Sequence, residues 1–138
     1  MLGKVFGSAK IITKFTNRGK VAWAVAGKQP LQKEIIAAEH VAEELGVGIY
    51  LRGDKIKVAD AFISGVRYEI KSMQNANGVY GSIRQSINRG QATRFVIDGR
   101  PGLSLGELQS GLKSLETRGK IWDELIVILG DGSVLRLP

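Results

Sequence analysis

The stretch Ala59-Asp60-Ala61-Phe62-Ile63-Ser64-Gly65-Val66-Arg67-Tyr68-Glu69-Ile70-Lys71-Ser72 constrains this chain most. It predicts two short strands joined at Ser64-Gly65. With a two-residue loop, Ile63 pairs with Val66, and Asp60 comes to lie opposite Glu69. Side chains alternate along a strand, so Lys71 shares the face of Glu69. The other face carries Ala59, Ala61, Ile63, Val66, Tyr68 and Ile70, which predicts a packed hairpin. Two carboxylates placed directly opposite each other repel. A divalent cation would offset that repulsion, because hard cations take oxygen ligands. The plainer alternative is a surface hairpin in which Lys71 pairs with an acid across the strands.

A helix is predicted over residues 30–45. Pro30 suits its first turn and Gly46 its stop. Leu31, Ile35, Ala38, Val41, Ala42 and Leu45 recur at helical spacing. Glu34 falls inside that apolar stripe, whereas Glu39, Glu43 and Glu44 lie outside it. A carboxylate turned toward a core needs a partner, so Glu34 is expected to face a metal or a lysine.

Asp60, then Glu69-Ile70-Lys71 across a turn, resembles the signature of the PD-(D/E)XK nuclease superfamily. That resemblance implies an α/β (α+β) fold with a restriction-endonuclease-like core, a mixed central sheet flanked by helices. It implies metal-assisted hydrolysis of a phosphodiester, with Glu34, Asp60, Glu69 and Lys71 as the catalytic set. Asp60, Glu69 and the Ile70 carbonyl would ligate the ion, with Glu34 a direct or water-mediated ligand. Mg²⁺ suits oxygen ligands and a phosphate substrate. Lys71 would orient the attacking water or neutralise charge on the phosphate.

The 138 residues predict one nuclease domain over 29–138, preceded by a basic leader or extension over 1–28. Apolar patches at Ile11-Ile12 and at 21–26 leave a hairpin or a helix open there. Further strands are predicted at 47–51, 55–63, 66–72, 94–98, 125–129 and 134–137. Helices are predicted at 79–90 and from the Ser104 cap to about Thr117, with Glu107 at capping-box spacing. Residues 74–78 read as a loop. No apolar run is long enough for a membrane span. Nothing at the N-terminus reads as a secretory signal. The chain has no Cys and a single His, which excludes disulfides and Cys-His sites. His40 falls opposite the apolar stripe and is expected to be exposed.

The net charge of +7 predicts a polyanionic partner. Seven Lys and Arg precede the first acid, Glu34. A second basic stretch, Arg84, Arg89, Arg94 and Arg100, follows the hairpin against only Asp98. Arg84, Gln85, Arg89, Arg94 and Tyr80 are the candidate substrate contacts.

Ser82-Ile83-Arg84-Gln85-Ser86-Ile87, then Gly90-Gln91-Ala92 and Val96-Ile97-Asp98, resembles the C-terminal nuclease toxins of bacterial contact-dependent growth inhibition and related polymorphic toxin systems. The resemblance implies delivery from a secreted or cell-surface protein into the target-cell cytoplasm. It also implies a nucleic-acid substrate, tRNA favoured and DNA possible, and an acidic immunity protein. Two alternatives stand beside it. One is a DNA endonuclease on the same fold, whether a DNase toxin, a resolvase or a repair enzyme. The other is a non-catalytic nucleic-acid-binding domain.

Overall fold

The computed structural model describes residues 10–53 and 60–138. Ala59 and most of the strand expected over 55–63 lie outside the described residues. The chain divides into two compact units, Met1–Arg67 and Tyr68–Pro138. Both mix helix with a mixed sheet, so the fold is α/β.

In the first unit, β1 (Ile11–Phe15) and β2 (Lys20–Ala24) form an antiparallel hairpin in which Ile11 faces Ala24. This hairpin answers the question left open over the basic N-terminal stretch. Helix α1 (Gln32–Leu45) then leads to β3 (Gly48–Arg52), which lies parallel to β2. A parallel pair needs such a crossover, because the chain must return to its starting edge. Val21 and Trp23 of β2 and Ile49 and Leu51 of β3 are buried, while their neighbours along the strands are half-buried or exposed. That alternation turns one sheet face toward the buried Ile35, Ala38, Val41 and Ala42 of α1. The predicted stop is there: Gly46 closes the helix in the left-handed region, φ 65°. Leu31 is exposed rather than part of the stripe, and His40 is half-buried rather than exposed. Strand β4 (Asp60–Ile63) runs antiparallel to β3, with Arg52 facing Asp60. Ser64 and Gly65 then turn the chain with φ of 53° and 79°. Positive φ at both central residues is the turn that matches the twist of flanking strands.

The second unit holds most of β5 (Val66–Ser72), whose bounds are those predicted. Helix α2 (Ala76–Asn88) leads to β6 (Arg94–Asp98), and helix α3 (Leu105–Thr117) leads to β7 (Glu124–Ile128). β5, β6 and β7 are parallel neighbours, and β8 (Val134–Leu137) closes antiparallel on β7. Phe95, Ile97, Leu125 and Val127 meet Val79, Ile83, Leu108 and Leu115 of the two helices in one core. The helices approach closely at Gly111. A Cβ there would stand 2.7 Å from Cβ of Val79 and 2.8 Å from the Ala76 carbonyl.

Two local readings change. α2 starts at Ala76, inside the stretch read as a loop. Asn75 is its cap, with Oδ1 accepting the Gly78 N–H at 2.8 Å. Ser104 caps α3 as expected, accepting from the Glu107 N–H at 3.1 Å. Glu107 does not complete a box at its own helix. Its carboxylate accepts the Ala76 N–H at 2.6 Å and so binds the first turn of α2.

Candidate functional site

Each carboxylate of the motif is buried, and each has protein partners. Asp60 is 7 % exposed in the first unit. Its Oδ2 accepts from Arg52 at 3.1 Å and its Oδ1 from Arg67 at 3.0 Å. The β3–β4 register places Arg52 there, and stacking on the Phe62 ring at 5.0 Å steadies it. Arg67 reaches Asp60 from across the Ser64-Gly65 turn. Sequence reasoning missed both arginines, because the pairing of β3 with β4 carries no local signal.

Glu69 lies on β5 in the second unit and is 4 % exposed. The parallel register aligns it with Phe95 and aligns Lys71 with Ile97, two residues of the core beneath the helices. Both side chains therefore turn toward α2, and the expectation that Glu69 and Lys71 share a face holds. The Lys71 ammonium stands 3.6 Å from Glu69 Oε1. Ser86 of α2 donates its hydroxyl to the same oxygen at 2.7 Å. The sequence reading did not single out Ser86; its only signal was its place one turn after Ile83 on the buried side of the helix. Tyr68 and Ile70 fill the opposite face, so β5 is buried on both sides at this point. Val66, expected in the core, is exposed.

These contacts alter one step of the sequence argument. The charge on Asp60 is offset by two guanidinium groups, and that on Glu69 by an ammonium and a hydroxyl. Their burial therefore does not by itself require a cation. Among the described residues, no group of three or more His, Cys, Asp or Glu side chains is placed to hold a metal ion. Glu34 is buried as predicted, and its Oε1 accepts the Leu31 N–H at 2.7 Å, the first turn of its own helix.

The candidate substrate contacts separate into groups. Arg84 and Gln85 are exposed on α2, and Arg89 is exposed at its C-cap. Tyr80 is half-buried, with Arg84 5.5 Å and Arg118 5.8 Å from its ring centre. Arg94 lies 3.9 Å from Asp123, and Arg100 pairs with Asp98 at 3.0 Å. On the other face of the sheet, Glu124 accepts from both Tyr68 and Arg136. Burial pushes the Glu124 carboxyl up, but these two hydrogen bonds outweigh it and hold the group below its ordinary value.

Residues 57–134 match the family described as the contact-dependent growth inhibition CdiA C-terminal domain. The chain belongs to this family. The matched stretch contains Asp60, Glu69, Lys71 and Ser86. CdiA C-terminal toxin domains are delivered into target cells by contact-dependent inhibition. No curated protein and no solved structure matches the chain. Among the described residues, no helix is long and apolar enough to cross a membrane.

Proposed function

We propose that this CdiA C-terminal domain is a metal-dependent endonuclease toxin of the PD-(D/E)XK kind, acting on RNA, with tRNA favoured, in the target-cell cytoplasm. The buried Glu69, with Lys71 and Ser86 on the same oxygen, carries the reading. A desolvated carboxylate beside an ammonium is costly to build into a core, and the Asp60…Glu69-Ile70-Lys71 spacing, which resembles the superfamily's signature, supports a functional role for it. Residues 29–138 are the proposed nuclease domain and 1–28 its basic extension.

The donors suit Mg²⁺, since all are oxygens and one or two carboxylates with waters suffice for that ion. Asp60, Glu69 and the Ile70 carbonyl would hold it, with Glu34 a direct or water-mediated ligand. To take part, Asp60 must release an arginine. The side chain of Arg52 is 60 % exposed and can turn to water. When bound, the ion supplies polarisation of the phosphoryl oxygen and a more acidic water. Ser86 holds Glu69 in one orientation. Lys71 orients the attacking water or offsets charge growing on the phosphate. Arg84, Gln85 and Arg89 meet the flanking phosphates, beside Tyr80 and Arg94.

A toxin of this kind needs an inhibitor in the cell that makes it. That immunity protein is expected to be acidic, since complementary charge speeds encounter with a chain of net charge +7.

The test is incubation of purified protein with total tRNA and with plasmid DNA, in Mg²⁺ or in EDTA. Cleavage of tRNA in Mg²⁺ alone is the expected result. Nicked plasmid with intact tRNA would replace this reading with a DNA endonuclease. Salt-sensitive binding without cleavage of either would replace it with a binding domain.

A further inference from the structure

Helices α2 and α3 enclose a groove of about 540 Å³ lined by Ala76, Asn77, Tyr80, Ser110, Lys113, Ser114, Thr117 and Arg118. On α3, Ser110, Lys113, Ser114, Thr117 and Arg118 recur at intervals of three and four, which puts them on one helix face. On α2, Asn77, Tyr80 and Arg84 do the same. The opposite sides of both helices supply Val79, Ile83, Leu108 and Leu115 to the core. The groove face is thus polar by pattern.

The lining has a distinct chemistry. It holds two cations, three hydroxyl side chains, an amide and a phenol, and no carboxylate. Glu107, the acid in the first turn of α3, is engaged with the Ala76 N–H. Lys113 and Arg118 are exposed. Tyr80 fixes the guanidinium groups of Arg84 and Arg118 near its ring, within 5.5 and 5.8 Å. An arginine already held on an aromatic ring loses less rotamer freedom when it binds an anion. Cations, hydroxyls and amides are the groups that take phosphate oxygens along a nucleic-acid backbone.

We propose that this groove is an RNA-backbone site apart from the Glu69 motif, in which Lys113 and Arg118 each meet a phosphate and the hydroxyls of Ser110 and Ser114 set its register, that of Thr117 being given to the Lys113 carbonyl at 2.9 Å. The inference rests on the RNA-cleaving reading above. It extends the substrate path onto α3, which carries none of the contacts expected from sequence. A strand held there and at the motif engages the protein at two places, so the groove acts on affinity rather than on the chemical step.

The experiment measures binding of total tRNA to the full chain in EDTA, from 50 to 200 mM salt, for the parent and for the double variant Lys113→Ala/Arg118→Ala. Each lost single-strand phosphate contact reduces the slope of log K against log salt by about 0.7. The double variant should show a slope smaller by about 1.4, unchanged circular dichroism, and a raised KM for cleavage with kcat preserved. An unchanged slope beside tight parent binding overturns the groove and leaves the nuclease reading in place. A parent that binds no nucleic acid overturns both. If the double variant keeps RNA binding and loses the immunity protein, the groove is a protein-docking face and this proposal fails.

Discussion

Ser86 donates its hydroxyl to Glu69 across 2.7 Å, from a helix to a strand, with both side chains closed to solvent. Hydrogen bonds to an ionised acceptor are the stronger kind, and an abandoned buried carboxylate keeps its full desolvation cost. Ser86→Ala should lower the unfolding free energy by about 1–3 kcal/mol. Urea unfolding of the two proteins measures it. An unchanged midpoint would mean that Glu69 is satisfied without the hydroxyl.

Substitutions in the motif should separate activity from folding. Asp60→Ala, Glu69→Ala and Lys71→Ala should each lower cleavage by at least about 100-fold, the usual effect of losing one charge-stabilising group. Asp60→Ala removes a carboxylate whose two arginine partners already border water, so its fold should persist. Glu34→Ala should reduce activity as well, and should also destabilise α1 by removing the acceptor for the Leu31 N–H. Full cleavage by Glu69→Ala would remove the site assignment.

Expression should report the same site in living cells. The unmutated domain should arrest growth, and co-expression of its small acidic neighbour should restore it. Glu69→Ala should be harmless without the neighbour. Colony counts after induction decide this, and harmless expression of the unmutated domain would count against the toxin activity.

The Tyr68–Glu124–Arg136 network predicts a dependence of stability on pH at both extremes. The Glu124 carboxyl is held low in the folded chain, so its contribution is present above the ordinary glutamate pKa of about 4.3 and is lost as pH falls through the folded value. Tyr68 is shifted the other way. Burial and the Glu124 carboxylate push its hydroxyl above 10.0. Its contribution is present below that value and is lost as pH rises through the folded one. Glu124→Gln should flatten both limbs of a Tm-against-pH curve, with most change below pH ~4 and above pH ~10.

Gly111 tests the packing of α2 on α3 without touching a charge. Gly111→Ala would press its methyl against Val79 and the Ala76 carbonyl. Overpacking of this kind costs about 1–3 kcal/mol. A Tm at or above the parent's would show that the helices can part without loss.

The sequence was most readable where one signal sufficed. Val66–Ser72 and Arg94–Asp98 have the predicted bounds because the first alternates apolar and polar residues straight after the Ser64-Gly65 turn and the second is a short apolar run stopped by Gly99. Ser104 opens α3 because its cap is purely local. The start of α2 was hidden, because Asn75 caps a helix with the same chemistry that marks a loop. β1 and β2 were ambiguous because β1 is exposed along its whole length and so shows no inward-outward alternation. At the site, burial of Glu34 could be read from helical periodicity, but burial of Glu69 could not, because alternation set it on the face opposite the apolar residues and only the packing of α2 closes that face. Arg52 reaches Asp60 through strand register, and Ser86 reaches Glu69 through helix packing. Both relations exist only once the chain has folded.

The two arginines on Asp60 and the lysine and serine on Glu69 have a consequence for the route by which such a domain arrives. Charge compensation is supplied by the chain itself, so the native state can be reached in an environment poor in divalent cations. On the metal-dependent reading proposed above, folding and activation would be separable events. A domain released inside a recipient would complete its core first and acquire an ion afterwards, as Arg52 turns away into solvent.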